Sequence, residues 1–435
     1  MSARAFLKER SLGRIVAGHP WVYESDLAGL EKAPADGGEI TVRTENGRYV
    51  GDGFYNSRSR IPIRVFSRSK ESLDEAFFRK RILEAKALRE NWHDVEGESR
   101  NDLLPATPAV DRDSPVEAGR PGPLRRQATA PTFSGPSLPP ACRLVWSEAD
   151  FLPGLIVDCY GDALVVQTLT LALDQRKDVM VELLKEIYQP SMIVERNDVS
   201  SRAFEGLPLQ KSILWGEQNS VRRVVMGGVE FEIDLIQGQK TGAYLDQIAN
   251  QQQVEQLARG KRVLDCFAYH GGFALHTALG GASHIEAWDV SEEAVRVCRR
   301  NTELNPTIAG QVIWKTANAF DEFKVVQRAN RRFDLIILDP PSFTRSREKL
   351  SDALRGYKEI HLRALQLLDP GGLLATFCCS HHVDAETFRA VILDAAFDAR
   401  KLLRLRQTFS QSCDHPIIPA IPETEYLKGF LFQIV

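Results

Sequence analysis

Two apolar runs, forty residues apart, limit what this chain can fold into. Phe333-Asp334-Leu335-Ile336-Ile337 leads into Leu338-Asp339-Pro340-Pro341-Ser342-Phe343, and Gly372-Leu373-Leu374-Ala375-Thr376-Phe377 leads into Cys378-Cys379-Ser380. Short, uninterrupted apolar runs bounded by turn residues read as buried strands. Between them, Leu354 to Leu368 carries helical spacing and closes on Asp369-Pro370-Gly371-Gly372. A strand, a helix and a strand place the two strands side by side and parallel in one sheet, about 4.8 Å apart. Asp339 and Cys379 then reach the same carboxyl edge, where open α/β sheets bind ligands.

The same alternation extends over the C-terminal half. Strands are expected at Arg262 to Cys266, His284 to Asp289 and Val312 to Thr316, with helices such as Glu292 to Asn305 between them. After a helix at Ala385 to Asp398 come two final strands, Leu402 to Ser410 and Tyr426 to Ile434. The expectation is a mostly parallel, seven-stranded α/β sheet over residues 226–435.

The N-terminal half reads differently. Residues 1–72 hold short alternating runs broken by Gly-Gly and Asn-Gly turns, a β-rich module. Residues 73–96 form a connecting helix with Phe77, Phe78, Ile82, Ala85 and Leu88 on one face. Nine of the 22 prolines fall between Pro105 and Pro140, so residues 97–140 read as a disordered Pro-rich insertion whose Pro-x-x-Pro pattern could dock a partner. Residues 141–225 form a small α+β module, with a hairpin turning at Tyr160-Gly161-Asp162.

With 435 residues and 43% hydrophobic content the chain can fill more than one core. A net charge of -3 creates no global field for nucleic acid. Asn56 to Lys70 is locally basic, with Arg58, Arg60, Arg64, Arg68 and Lys70 and no acid; it suits a solvated face or phosphate contacts. Seven cysteines, mostly inside apolar runs, suit reduced thiols. The N-terminus lacks a signal-peptide pattern, and no apolar run approaches the roughly 20 residues of a membrane helix. These features read as a cytoplasmic protein without a membrane partner. Cys379, His381, His382 and Cys413 match no common zinc spacing, so no metal is expected.

Val263-Leu264-Asp265-Cys266-Phe267-Ala268-Tyr269-His270-Gly271-Gly272-Phe273 is a strand, a loop with two glycines and a helix start. Glycine admits close backbone approach, and a helix start offers free N–H groups. The pattern is not that of a dinucleotide site. Asp289 ends the next strand, eighteen residues after Gly271, where an acid can accept both ribose hydroxyls of a nucleoside.

These pieces resemble class I S-adenosylmethionine-dependent methyltransferases. The D-P-P-S-F and C-S segments, Gly238 to Gln247, Asp414-His415-Pro416 and Tyr426 to Phe430 resemble, more narrowly, the 23S rRNA cytosine-carbon-5 methyltransferases with an N-terminal PUA domain. His19-Pro20-Trp21-Val22, Leu152 to Asp158 and Glu195 to Val199 extend the likeness over nearly the whole chain except the insertion. The resemblance implies a Rossmann-like methyltransferase domain preceded by a PUA domain and a central domain. It implies S-adenosylmethionine as cofactor, held by Asp265, Phe267, Gly271, Gly272, Asp289 and Asp339. Asn318 is implied as a further cofactor contact: it stands where the family pattern usually has Asp beside the adenine, and its amide carbonyl can still accept from the adenine amino group. It implies Cys379 as nucleophile with Asp339 beside it, and base or RNA contacts from Pro340, Pro341, Phe343, His415, Arg58 and Arg60. The implied partner is large-subunit rRNA; self-association is left open, a homodimer included.

Cytosine carbon-5 is a poor nucleophile, and a thiolate adding to carbon-6 makes it an enamine carbon. Strand neighbours point to opposite faces, so only one of Cys378 and Cys379 can enter the pocket; the resemblance selects Cys379. Two other readings stay open: a guanine methyltransferase, which needs no thiol, and a non-catalytic RNA-binding or ribosome-assembly factor.

Overall fold

The computed structural model describes residues 3–98, 138–344 and 347–435. The insertion read at 97–140 lies almost wholly outside them.

Seven strands form the C-terminal sheet: β1 (Arg262–Cys266), β2 (His284–Asp289), β3 (Val312–Thr316), β4 (Phe333–Leu338), β5 (Leu368–Cys378), β6 (Leu403–Phe409) and β7 (Lys428–Ile434). Their spatial order is β3-β2-β1-β4-β5-β7-β6. The first five are parallel, and β7 runs antiparallel between β5 and β6. Five helices cover both faces: α1 (Gly272–Leu279), α2 (Glu292–Leu304), α3 (Ala319–Arg328), α4 (Leu350–Gln366) and α5 (Ala385–Asp398).

The alternation of side chains divides the apolar strands between two cores. Val263, Ile285, Leu335, Ile337 and Ala375 enter one; Leu264, Trp288, Ile336, Leu338 and Leu374 enter the other. Leu335 to Leu338 are fully buried. Cys266 pairs with Leu338, and Leu338 with Thr376, so the ends of β1, β4 and β5 meet at one edge. α4 starts four residues before the expected Leu354, and two strands start two or more residues away from the sequence expectation. β5 begins at Leu368, passing through the Asp369–Gly372 turn with Gly371 at φ +87°, because Leu368 pairs back with Phe333. β7 begins only at Lys428, because the Tyr426 hydroxyl is tied to Asp246, off the sheet.

The N-terminal six-stranded sheet spans Arg4 to Ser67 and has its own core of Ala5, Leu7, Ile15, Val22, Ile40, Val42, Ile63 and Val65. A helix, Glu75–Glu98, leads from it. A five-stranded sheet follows between Ala141 and Gly216, with its hairpin turning at Gly161-Asp162. Phe54, Phe66, Phe77 and Phe78 join Leu144, Leu155 and Leu164 in a core shared across the first two units. A hairpin, Val221–Met226 with Val229–Asp234, packs into the core under β1.

Buried charges stitch the five-stranded sheet to the C-terminal one. Arg143 clamps Asp158 through two bonds of 2.7 and 2.8 Å, and its backbone N–H donates to the Asp414 carboxylate at 2.7 Å. Arg89 clamps Asp150 and also donates to the Asp414 carbonyl. Pairs this buried are costly to break, because a lone charge remains inside. They fix the segment around Asp414 behind the carboxyl edge of the large sheet.

Candidate active site

The loop after β1 is bent into an unusual shape. Phe267 (φ +68°), Tyr269 (φ +50°) and Gly271 (φ +91°) all take left-handed backbone angles within five residues. Only glycine does so without cost; the other two must be held. Asp289 holds one of them: its carboxylate accepts the Tyr269 N–H at 2.9 Å and the Ser291 N–H at 2.8 Å. Beneath the loop, Asp265 accepts the Ala274 N–H at 3.0 Å, anchoring the start of α1. A Cβ on Gly271 would lie 2.8 Å from the Trp314 ring, and one on Gly272 2.3 Å from the Gln251 amide. Gly271 is therefore favoured by contact and by backbone angle, and Gly272 by its contact with the Gln251 side chain alone.

This loop, the end of β2, the end of β4 and the end of β5 enclose a cavity of about 240 Å³. Phe267, Gly272, Asp289, Asp339, Pro340, Pro341 and Cys379 line it. A larger cavity of about 470 Å³ adjoins it through Gln239, Tyr269, His270 and Ser291, but reaches neither Asp339 nor Cys379.

A further wall comes from the segment before β1. Lys240, Tyr244, Asp246, Gln247 and Gln251 line the cavity, and none was assigned a role from sequence. The clue was a lysine, an aspartate and several amides crowded between Gln239 and Gln251 in a stretch that also buries Leu245. Gln247 donates to the Asp339 carboxyl at 3.1 Å. Asp246 accepts from Lys240 at 3.1 Å and from the Tyr426 hydroxyl at 2.5 Å. The Lys240 ammonium also sits 4.0 Å from the centre of the Tyr244 ring.

These neighbours set the protonation states. Burial raises the Asp339 carboxyl, and the Asp246 charge adds to it; Lys240 and Gln247 only partly oppose, leaving it at about 7. Burial likewise raises the Cys379 thiol to about 11, with Asp339 adding and Lys240 opposing. Asp246 goes the other way: burial would raise it, but Lys240, His415 and Tyr426 outweigh that and hold it below the usual carboxylate range. Asp265 is pushed well up by burial and by Asp339. A carboxyl that titrates near neutrality is suited to proton transfer, and the raised thiol beside it ionises more readily only when its negative neighbour is neutralised.

Cys378, one residue before Cys379, is fully buried with its sulfur 3.4 Å from the Tyr357 hydroxyl. Other residues named from the sequence lie off the cavity. Asn318 is exposed and caps α3 by accepting from the Phe320 N–H at 3.0 Å. Phe343 packs on Tyr357, ring centres 4.6 Å apart. His415 is 2% exposed, bonded to Asp414 at 2.8 Å and packed near Trp146 and Tyr426. It reaches the site only through Tyr426 and Asp246. Arg58 lies against Gly206, and the Arg60 guanidinium covers the Phe204 ring at 5.0 Å; both sit where the N-terminal and five-stranded sheets meet.

Residues 210–432 match the S-adenosylmethionine-dependent methyltransferase family, and residues 6–68 match the PUA-like domain. The chain is 36% identical, over the full length of both, to a protein of Shewanella amazonensis named ribosomal RNA large subunit methyltransferase I. An Aliivibrio fischeri protein of the same name is 33% identical over 96% of each chain. The chain belongs to this methyltransferase family. A methyltransferase candidate solved in complex with SAH, S-adenosylhomocysteine, shares the fold at a TM-score of 0.77 and 19% identity, over 99% of both chains. Among the described residues, no helix is long and apolar enough to cross a membrane.

As in its family, the methyltransferase's cofactor is S-adenosylmethionine, and the cavity suits it. Gly272 keeps one wall free of a side chain, and Asp289, each of its oxygens accepting one backbone N–H, keeps acceptor capacity at another. Asp289→Ala is expected to weaken S-adenosylmethionine binding at least about tenfold. It removes charged acceptors, each worth roughly 1.5–3 kcal/mol, and frees the Tyr269 N–H that shapes the loop. Calorimetry showing unchanged affinity would remove Asp289 from the cofactor site.

Proposed function

We propose that this methyltransferase acts on large-subunit rRNA and methylates carbon-5 of a cytosine, with Cys379 as nucleophile and Asp339 as the proton-handling group. One observation carries the reading: Asp339 and Cys379 lie in the same cavity as the Asp289 loop. Methylation of a guanine nitrogen needs no thiol there. The names of the curated relatives support rRNA as the substrate.

S-adenosylmethionine supplies an electrophilic methyl group. The chain must make carbon-5 able to accept it. Cys379, as thiolate, adds to carbon-6 of the base. Asp339, half-protonated near neutral pH, hands a proton toward ring nitrogen-3, so the ring carries no net negative charge. A protonated Asp339 also removes the largest negative neighbour that raises the thiol, leaving the opposing effect of Lys240 set against the smaller one of Asp246. After methylation the carbon-5 proton leaves to a base and the thiolate is expelled. Gly271, Gly272, Phe267 and Asp265 would shape the methionine end of the cofactor site, Asp289 the ribose end, and Pro340 and Pro341 the base platform. In this reading the PUA-like unit, with Arg58 and Arg60, contacts RNA away from the cavity.

The test is to map methylated bases in rRNA with and without the protein. A single 5-methylcytosine in large-subunit rRNA that depends on the chain is expected. A lost methylguanine instead would replace the cytosine reading, and unchanged rRNA would remove rRNA as the substrate.

A further inference from the structure

We infer that Lys240 is the counter-charge of the Cys379 thiolate, a positioning residue that acts through its ammonium and makes no bond. This rests on the proposed role of Cys379, but its test reads the thiol itself and not the fate of the base.

The segment Gly238 to Gln247 carries part of the family likeness, yet the sequence alone gives Lys240 no task. In the fold the chain turns tightly at Lys240-Thr241, where the Gly242 N–H donates to the Gln239 carbonyl at 2.8 Å. Lys240 takes φ +50° there, a left-handed angle that glycine adopts without cost and lysine does not. Such strain persists only where the surroundings hold it, and it gathers at functional sites. Here the surroundings are specific. The Tyr269 hydroxyl accepts the Gln239 N–H at 3.0 Å and donates to the Gly242 carbonyl at 3.2 Å, seating both ends of the turn on the cavity wall. Asp246 and the Tyr244 ring hold the ammonium. Asp246, 3% exposed, is itself pinned by the Tyr426 hydroxyl. A strained turn thus delivers a cation to the cavity that Asp339 and Cys379 share.

Which groups feel the cation shows what it serves. Its charge opposes the rise of both Cys379 and Asp339. Asp265, at the end of β1, answers to Asp339 and Asp289 instead. The ammonium therefore belongs to the reacting end. Asp339 is needed there as an acid, and a cation works against that; the thiol is needed as an anion, and a cation works for it. The other ionisable groups around the sulfur cannot take this part. Asp339, Asp246 and Cys378 oppose a thiolate, and burial keeps Tyr244 and Tyr357 neutral. His381 packs on Tyr426, and burial disfavours its charge. Among the described residues Lys428 is the rival cation, but its ammonium donates to the Ser380 carbonyl at 2.6 Å, and it does not line the cavity.

Alkylation of the full-length protein, read at each cysteine by peptide mass spectrometry, tests the assignment. Iodoacetamide and iodoacetate are compared between about pH 8 and 10, where thiols ionise, with the exposed Cys413 as reference. The proteins are wild type, Lys240→Met, Lys240→Gly, Lys240→Arg and Lys428→Met. Methionine keeps the strain of the turn and glycine relieves it, so the two neutral variants agree only in the charge removed. The Lys240 side chain is 41% exposed, which tempers the effect. Both neutral variants should slow iodoacetamide at Cys379 about threefold to tenfold, and the anionic iodoacetate by a further factor of about two to five. Lys240→Arg and Lys428→Met should stay within about twofold of wild type. Equal slowing of the two reagents would mean altered access, and unchanged rates would mean no charge contact; either overturns the assignment. The expected pattern in Lys428→Met alone would hand the role to Lys428. Unchanged alkylation, with affinity lost for S-adenosylhomocysteine and kept for 5′-methylthioadenosine, would place Lys240 on the cofactor's amino-acid end and also overturn it. If the alkylation pattern holds while Cys379→Ala still transfers methyl groups, the counter-charge stands and the nucleophile falls.

Discussion

Cys379→Ala is expected to reduce methyl transfer by about four orders of magnitude or more, the scale seen when a nucleophile is removed, while affinity for S-adenosylmethionine stays within a few fold. The thiol faces the cavity from the end of β5 but acts on the base, not on the cofactor. Cys378→Ala is the internal control. That sulfur is sealed between β5 and Tyr357, so its loss should cost about 1 kcal/mol of stability and leave most activity. Rates from single-turnover assays and affinities from calorimetry decide the matter. An exchange of the two phenotypes would reassign the nucleophile.

Asp339→Asn should lower the rate about 10²–10⁴-fold, the usual contribution of a placed acid or base, and should change the pH profile. In the free protein the acid form of Asp339 is present below about 7 and is lost as pH rises through that value. The Cys379 thiolate is scarce until pH approaches about 11. Below pH 7 the acid is intact and the thiolate grows tenfold per unit, so kcat/KM rises. Above 7 the loss of acid cancels the gain of thiolate, and the profile flattens. The bend belongs to the interacting pair. An asparagine cannot titrate, so in the variant the rise should continue past pH 7 without a bend. A wild-type profile that keeps climbing through neutrality would remove Asp339 as the acid.

The parallel strands were legible because each is a short apolar run closed by Asp, Pro or Gly, and the alternation of two faces is local information. Asp289, Asp339 and Cys379 could be placed together because each ends a strand at the same edge. The wall from Lys240 to Gln251 was not assigned, because it reaches the cavity only through long-range packing beside α1. His415 shows the opposite case: its motif was visible, but its ring is taken by Asp414 and stands behind Tyr426. Asn318 follows β3 in chain order, yet its side chain is occupied in capping α3. Capping and ion pairing are choices among partners, and only the folded chain decides between them. The place of β7 between β5 and β6 likewise depends on which edge of β5 is left free once α4 has crossed over.

The central claim is that a thiol opens the pyrimidine ring to methylation, and tritium release tests it most directly. RNA carrying tritium at cytosine carbon-5 is incubated with S-adenosylmethionine and the protein. Tritium should appear in water in step with methyl transfer, because the carbon-5 hydrogen must leave once the methyl group is in place. Cys379→Ala should stop the release, and 5-fluorocytosine RNA should trap a covalent protein–RNA adduct, since fluorine cannot leave as a proton does. Methyl groups arriving on guanine with no tritium released would contradict the account.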